Sequence, residues 1–211
     1  MMAKSFIKLL ENDGEISKKI LNALTKEVNK SLKKVSSRKM LAPLQKIIGD
    51  SLAKSDEIAS LSSGQLRYDF GIPAGIDVVT PIISAVVGGI FIQSSPVKLV
   101  GGQFKGSVQF HMQPTDMSNL LSLPQGMITS EKGASLPWLQ WLLTLGDQII
   151  VADFGVVYGT GLGRSGGGQM ASAARPFKVN SRFSGTIDNN FVTKAIYKKR
   201  KDIANLIKGS M

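Results

Sequence analysis

The sequence contains no cysteine and only one histidine, His111, in 211 residues. Without cysteine there is no disulfide bond, no thiolate metal ligand and no cysteine nucleophile. One histidine cannot supply a two-histidine zinc motif, and it leaves little capacity for general-base catalysis. These absences argue against an enzyme, and we expect no catalytic residues, no cofactor and no metal site.

The sequence also lacks a long hydrophobic run. Its most apolar stretch, residues 76–92, includes Asp77 and Pro81 and is shorter than the about 20 residues that cross a bilayer. Lys8 and Glu11 interrupt the apolar residues at the start of the chain, so no signal peptide is predicted. We therefore expect a cytoplasmic protein with no membrane partner.

Positive charge is concentrated at the two ends of a chain whose net charge is +11. Residues 1–57 hold 12 Lys/Arg against 7 Asp/Glu, residues 58–193 hold 8 against 7, and residues 194–211 hold 6 against 1. Such ends can bind DNA, an anionic membrane surface or an acidic protein, or they can simply keep helix surfaces soluble.

The basic N-terminal region has helical periodicity. Apolar residues recur every three or four positions from Ile16 to Val35, with lysines between them. Pro43 interrupts this pattern, and a second helical run extends from Leu44 towards residue 62. We expect a helical arm whose narrow apolar stripe packs on one surface only.

Strand and helix patterns alternate in the middle of the chain. Residues 78–87 are typical of a short helix with Asp77 as its N-cap, and residues 90–99 and 103–112 are typical of two hairpin strands joined at V-G-G-Q. The alternation places His111 on the solvent side of its strand. Ser135 is predicted to cap a helix that ends at Gly146.

Residues 158–170, Y-G-T-G-L-G-R-S-G-G-G-Q-M, match a dinucleotide loop, a phosphate loop and a hydrolase nucleophile elbow. A dinucleotide site needs a helix after the glycines, and Pro176 leaves no room for one. Gly167 stands where a phosphate loop needs lysine, and no histidine follows Ser165 as an elbow requires. We expect a hairpin over about 148–180 whose tip is either exposed to solvent or ordered against a partner.

Five residues are candidates for a subunit interface. Arg164 lies in the hairpin tip with Arg175 and Arg182 nearby, and each guanidinium can pair with a carboxylate or a phosphate. Trp138 and Trp141 are costly to expose, so we expect them to be buried in the monomer or in an interface.

Three segments follow one another after the basic arm. They are L-P-W-L-Q-W-L-L (136–143), G-R-S-G-G-G-Q-M (163–170) and F-S-G-T-I-D-N-N-F-V-T-K-A-I (183–196). Together they resemble virion structural proteins of tailed bacteriophages, of the neck or tail-completion type that joins the portal-bearing head to the tail. The resemblance is strongest over about 135–208. It implies a ring-forming subunit with a small β-rich core, flanking helices and arms or loops that reach adjacent rings, and it transfers no catalytic residue.

The predicted fold is α+β. It has a basic helical arm over residues 1–62 and a core domain over residues 63–211, with a small antiparallel β-rich core, a projecting glycine-rich hairpin and a C-terminal helix over about 186–208. From the residues alone we expect an oligomeric interaction protein.

The resemblance implies a homo-oligomeric ring of six or twelve subunits in the neck, the head-tail connector or the tail terminus. Its partners would be other neck, portal or tail proteins, and non-specific contact with packaged DNA is compatible with this role. Such a protein is located in the virion and is assembled in the host cytoplasm. The alternative is a nucleic-acid-binding protein that uses its basic terminal helices, although Tyr197 is the only aromatic residue in the last basic cluster.

Overall fold

Short hairpin sheets and helices make up the fold, and the computed structural model describes residues 12–34, 40–73, 78–129, 133, 135–172 and 175–210. The helices are α1 (Asp13–Lys34), α2 (Leu41–Ala53), α3 (Asp56–Ser63), α4 (Gln65–Asp69), α5 (Val79–Gly88), α6 (Ser118–Leu121), α7 (Trp138–Leu143), α8 (Phe191–Lys198) and α9 (Arg200–Ser210). The strands are β1 (Phe91–Ser94), β2 (Lys98–Val100), β3 (Gln103–Lys105), β4 (Val108–His111), β5 (Ile128–Thr129), β6 (Ser135–Leu136), β7 (Ile149–Val151), β8 (Phe154–Tyr158), β9 (Gly168–Ser172) and β10 (Phe177–Lys178). The predicted α+β class, with antiparallel sheets and helices at both ends, is confirmed.

Helices supply most of the hydrophobic core. Leu44, Ile48 and Leu52 are buried at four-residue intervals along one face of α2, which packs on α5 and α8. The hydroxyl of Ser51 also donates a hydrogen bond to the carbonyl oxygen of Ala195 in α8, at 3.1 Å. Helices α2 and α3, which fall within the predicted arm over residues 1–62, therefore contribute to the same core as the later elements.

Helix α1 is attached differently. Its 22 residues include no buried side chain among those described, and Ile20 and Leu24 of its apolar stripe are 55% and 48% exposed. The Asn29 amide fixes it to the chain by donating to the Val97 carbonyl oxygen at 3.0 Å and accepting from the Val97 N–H at 2.7 Å. The predicted amphipathic helix is present, and the last residue of its predicted stripe, Val35, lies outside the described residues.

The first predicted hairpin is confirmed, in two parts. Strand β1 pairs with β4, and β2 pairs with β3 beyond them. Gly101 and Gly102 join β2 to β3 with φ values of +58° and +77°, as a two-residue type I′ turn requires. We call β2, β3 and their turn, residues 98–105, the distal hairpin. All of its residues are exposed.

The second predicted hairpin, over about 148–180, also forms in two parts. Strand β7 pairs with β10, and β8 pairs with β9 from Phe154↔Ser172 to Tyr158↔Gly168. Asp153, at φ +62°, marks the break between β7 and β8. All five sheets among the described residues have two strands, so every strand there leaves one edge unpaired.

Three predicted helix boundaries are wrong or shifted. The predicted helix over 186–208 is two helices, α8 and α9, and the first begins after Asn190 instead of at Thr186. The Asn190 side chain accepts hydrogen bonds from the backbone of Val192 and Thr193, while the Thr193 hydroxyl accepts from the Asn190 N–H. This capping box satisfies N–H groups that the first turn leaves unpaired.

Ser135 does not cap α7, because it pairs with Thr129 in the β5–β6 sheet and α7 begins at Trp138. The helix also ends before Gly146, whose N–H donates to the Gly185 carbonyl oxygen. The predicted helix over 78–87 is confirmed as α5, whereas the proposed N-cap Asp77 lies outside the described residues.

Candidate assembly interface

The two tryptophans of the predicted interface have different environments. Trp138 is fully buried within the chain: its ring lies 5.4 Å from that of Phe70, and its Nε1 donates to the Gln125 carbonyl oxygen at 3.0 Å. Trp138 is therefore a core residue and not an interface residue. Trp141 is half-buried against the same core, and its Nε1 has no hydrogen-bond partner among the described residues.

The three arginines of the predicted interface contact different parts of the chain. Arg164 Nη1 donates to the Thr129 carbonyl oxygen at 3.0 Å, and Arg182 Nη2 lies 2.6 Å from Asp56 Oδ2. Arg175 is exposed and lines a cavity that is described below. All three are exposed, but Arg164 and Arg182 already have partners within the chain.

The glycine-rich loop between β8 and β9, residues 159–167, is packed against α4 and does not extend freely into solvent. Arg67 Nη2 donates to the Ser165 carbonyl oxygen at 3.2 Å, and Ser165 is only 3% exposed. A Cβ atom at Gly167 would overlap the ring of Tyr68. Because this loop has few apolar side chains, its backbone packs directly on an aromatic ring, and only glycine permits that approach.

Hydrogen bonds within the loop also fix its shape. The Gly161 N–H donates to the Gly166 carbonyl oxygen at 2.8 Å, and the Gly168 N–H donates to that of Leu162 at 3.1 Å. Gly163 has φ +61°, and a Cβ atom there would overlap the Gly168 carbonyl oxygen. The glycines therefore serve a defined turn that hydrogen bonds within the loop close.

A hydrogen bond between a buried carboxyl group and an exposed tyrosine links α4 to the second hairpin. The Tyr158 hydroxyl donates to Oδ1 of Asp69, which is only 5% exposed. Burial raises the pKa of Asp69 to about 6, and burial together with the hydrogen bond to Asp69 raises the pKa of Tyr158. The pair lines a cavity of about 570 Å³ with Arg175 and Lys178. Asp69 was not predicted, since a single acidic residue in R-Y-D-F carries no recognisable pattern.

His111 lies on the predicted solvent side of its strand, the side of the exposed Gln109, but it is itself half-buried. Its ring stacks on that of its cross-strand neighbour Phe91, with 4.3 Å between centroids and 6° between planes. Its Nε2 is buried and has no hydrogen-bond partner among the described residues. The aromatic pair covers the imidazole, which alternation along a single strand cannot predict.

Exposed apolar side chains are concentrated on the two hairpins, which carry nine of the fourteen large ones among the described residues. These nine are Phe91, Leu99, Val100, Phe104, Ile149, Phe154, Val157, Tyr158 and Met170. On the distal hairpin, Leu99 and Phe104 are cross-strand partners that share a face, and they are 37% and 43% exposed. This pair of exposed apolar side chains on one face makes the distal hairpin a candidate contact site for another protein.

No group of three acidic, histidine or cysteine side chains in the described ranges is arranged to hold a metal ion. None of the helices in those ranges is both long and apolar enough to cross a bilayer. Comparisons of the chain with protein-family models, with curated proteins and with solved structures give no match.

Proposed function

We propose that this protein is a structural subunit of a tailed-phage virion and that it assembles into a ring in the neck, the head-tail connector or the tail terminus. The observation that carries the proposal is the exposed apolar pair Leu99 and Phe104 on the distal hairpin. The resemblance of three sequence segments to neck and tail-completion proteins supports the phage context.

A two-stranded hairpin is marginally stable by itself, and its unpaired edges are open to further strands. The distal hairpin has both weaknesses, because its residues are exposed on both faces and each strand has a free edge among the described residues. A neighbouring subunit would stabilise the hairpin by covering Leu99 and Phe104, and it would pair with one of the free edges. In a closed ring every subunit provides and receives this contact once, so no such surface is left exposed.

Helix α1 supports the same role. Its exposed Ile20 and Leu24 form a second apolar surface, and Asn29 binds the helix to Val97, immediately before the distal hairpin. The helix thus contacts the chain next to the start of the distal hairpin. An amphipathic arm beside an exposed hairpin is suited to contacts with an adjacent subunit or ring.

The test compares two double variants of the first hairpin. Leu99→Ser with Phe104→Ser removes the apolar pair, whereas Gln93→Ser with Gln109→Ser changes an exposed polar cross-strand pair on the same hairpin. Mass photometry and electron microscopy would measure oligomer size, and circular dichroism would confirm the fold.

We expect the wild type and the Gln93/Gln109 variant to form the same closed ring, alone or on an added partner ring, and the Leu99/Phe104 variant to stay monomeric while folded. Equal assembly of both variants would show that the distal hairpin is not the contact. A wild-type chain that forms no ring and is absent from virions would contradict the proposed function.

A further inference from the structure

The junction of α8 and α9 carries an unusually uniform positive charge. The cations within this stretch are Lys194, Lys198, Lys199, Arg200 and Lys201, with no acidic residue among them. Lys199 Nζ lies 2.8 Å from Asp202 Oδ2, so this one lysine is neutralised locally. The other four cations are exposed. We call these four and Tyr197 the basic junction.

Tyr197 and Arg200 give this surface a defined geometry. The Arg200 guanidinium lies 4.0 Å from the centre of the Tyr197 ring, and its Nη1 donates to the Tyr197 carbonyl oxygen at 3.3 Å. These two contacts hold the guanidinium in place and leave most of its N–H groups for a ligand. Tyr197 is itself 65% exposed, which is high for an aromatic side chain.

The basic surface continues across the groove between α8 and the end of α2. Lys54, Lys194 and Lys198 line this groove, which has a volume of about 320 Å³, and they make no ion pair with any described residue. Two carboxylates also line it. Asp56 pairs with Arg182 at 2.6 Å, and Glu57 is 7% exposed in the first turn of α3.

Helix α1 is the other basic segment, and it differs from the basic junction in its acidic residues and in its lack of an aromatic residue. Its lysines alternate with Asp13, Glu15 and Glu27, and Lys30 Nζ lies 3.9 Å from Glu27 Oε2. It contains no aromatic residue. Of the two basic segments in the described part of the chain, the basic junction is the one that combines lysines without an ion pair with an oriented guanidinium and an exposed ring.

We propose that the basic junction binds the phosphate backbone of nucleic acid without reading its sequence. A planar guanidinium forms paired hydrogen bonds with phosphate oxygens, and lysines without fixed partners follow a polyanion along its length. The exposed face of Tyr197 can contact a sugar or a base. The binding site does not depend on the ring proposed above, because it uses neither α1 nor the hairpins.

The experiment measures the affinity of the full chain for a labelled duplex of about 20 base pairs, and for its single strand, from about 50 to 200 mM NaCl. The test variant is Lys194→Gln/Lys198→Gln/Lys201→Gln. The matched control, Lys18→Gln/Lys26→Gln/Lys30→Gln on α1, removes the same charge elsewhere. Oligomer size is measured on the same samples, so that a failure of assembly and a failure of binding are distinguished.

Each phosphate contact adds about 0.9 to the slope of log affinity against log salt for a duplex. Loss of three contacts should therefore lower the slope by about 2.7 and weaken binding at about 50 mM salt at least tenfold. The α1 control should change the slope and the affinity much less. Tyr197→Leu should weaken binding with little change in the slope. Equal losses in the two triple variants, or no binding by the wild type, would overturn the proposal. So would equal binding of polyglutamate with the same dependence on these lysines, since that would indicate an acidic protein partner.

Discussion

Replacing Asp69 with asparagine should stabilise the protein at neutral pH and leave its stability unchanged near about pH 4. The Asp69 carboxyl is buried, lines the cavity beside the second hairpin and accepts a hydrogen bond from the Tyr158 hydroxyl. Asparagine has nearly the same shape and keeps an oxygen acceptor for that hydroxyl, but it carries no charge. The substitution therefore removes the charge of the buried carboxyl and keeps its shape and an acceptor for Tyr158.

The magnitude follows from the shift in pKa. Burial raises the pKa of Asp69 to about 6 in the folded protein, against about 3.9 in an unfolded chain. The folded state binds the proton more tightly, so this stabilising contribution is complete below about pH 4 and is lost as the pH rises through about 6. A shift of about two pKa units corresponds to about 2 to 3 kcal/mol in the free energy of unfolding.

Urea unfolding of the wild type and Asp69→Asn between about pH 4 and 8 would measure this effect, with emission from the buried Trp138 as the signal. As the pH rises from about 4 to 8, the free energy of unfolding of Asp69→Asn should come to exceed that of the wild type, from near zero difference to about 2 to 3 kcal/mol. Tyr158→Phe should move the transition to higher pH, because the Tyr158 hydrogen bond lowers the pKa of Asp69. Parallel stability curves for the wild type and Asp69→Asn would refute the reasoning.

Four further substitutions test the packing and the α8 cap by urea unfolding. Gly163→Ala should lower the free energy of unfolding by about 3 kcal/mol or more, because φ is positive there and the new Cβ would overlap the Gly168 carbonyl oxygen. Gly161→Ala, where φ is +79° and the space around the new Cβ is open, should lower it by about 1 to 2 kcal/mol. Equal costs would mean that the loop is not closed as described. Trp138→Ala should cost about 3 to 5 kcal/mol, and a smaller loss would place its ring outside the core. Asn190→Ala should lower the free energy of unfolding by about 2 to 3 kcal/mol, because it removes the α8 cap and the side-chain hydrogen bonds to three carbonyl oxygens. A loss below about 1 kcal/mol would mean that water replaces these hydrogen bonds.

Local patterns in the sequence predicted much of the secondary structure. The apolar spacing from Ile16 onwards predicted α1, and Gly101–Gly102 between two alternating runs predicted the first hairpin. Both patterns are local, because the apolar spacing repeats with each helical turn and the glycine pair forms a single tight turn. The start of α8 was misplaced because Thr186 is also a good N-cap residue. The capping box of Asn190 with Thr193 and the contact of Asn190 with the Leu143 carbonyl oxygen favour the later start.

The position of the glycine-rich loop could not be predicted, because its partners lie about a hundred residues away in the sequence. Arg67 and Tyr68 on α4 hold a loop that has few apolar side chains, and hydrophobic patterning gives no sign of such contacts. Because the loop is packed on α4, we expect a deletion of residues 161–167 to lower the melting temperature.

Cryo-electron microscopy of the virion proposed to contain this chain tests the proposed assembly role most directly. We expect a closed ring at the head-tail junction or at the tail terminus, with the chain fitting each repeat and with Leu99 and Phe104 of the distal hairpin covered by the next subunit. Particles that lack the chain, or a ring in which these two side chains remain exposed to solvent, would contradict the account.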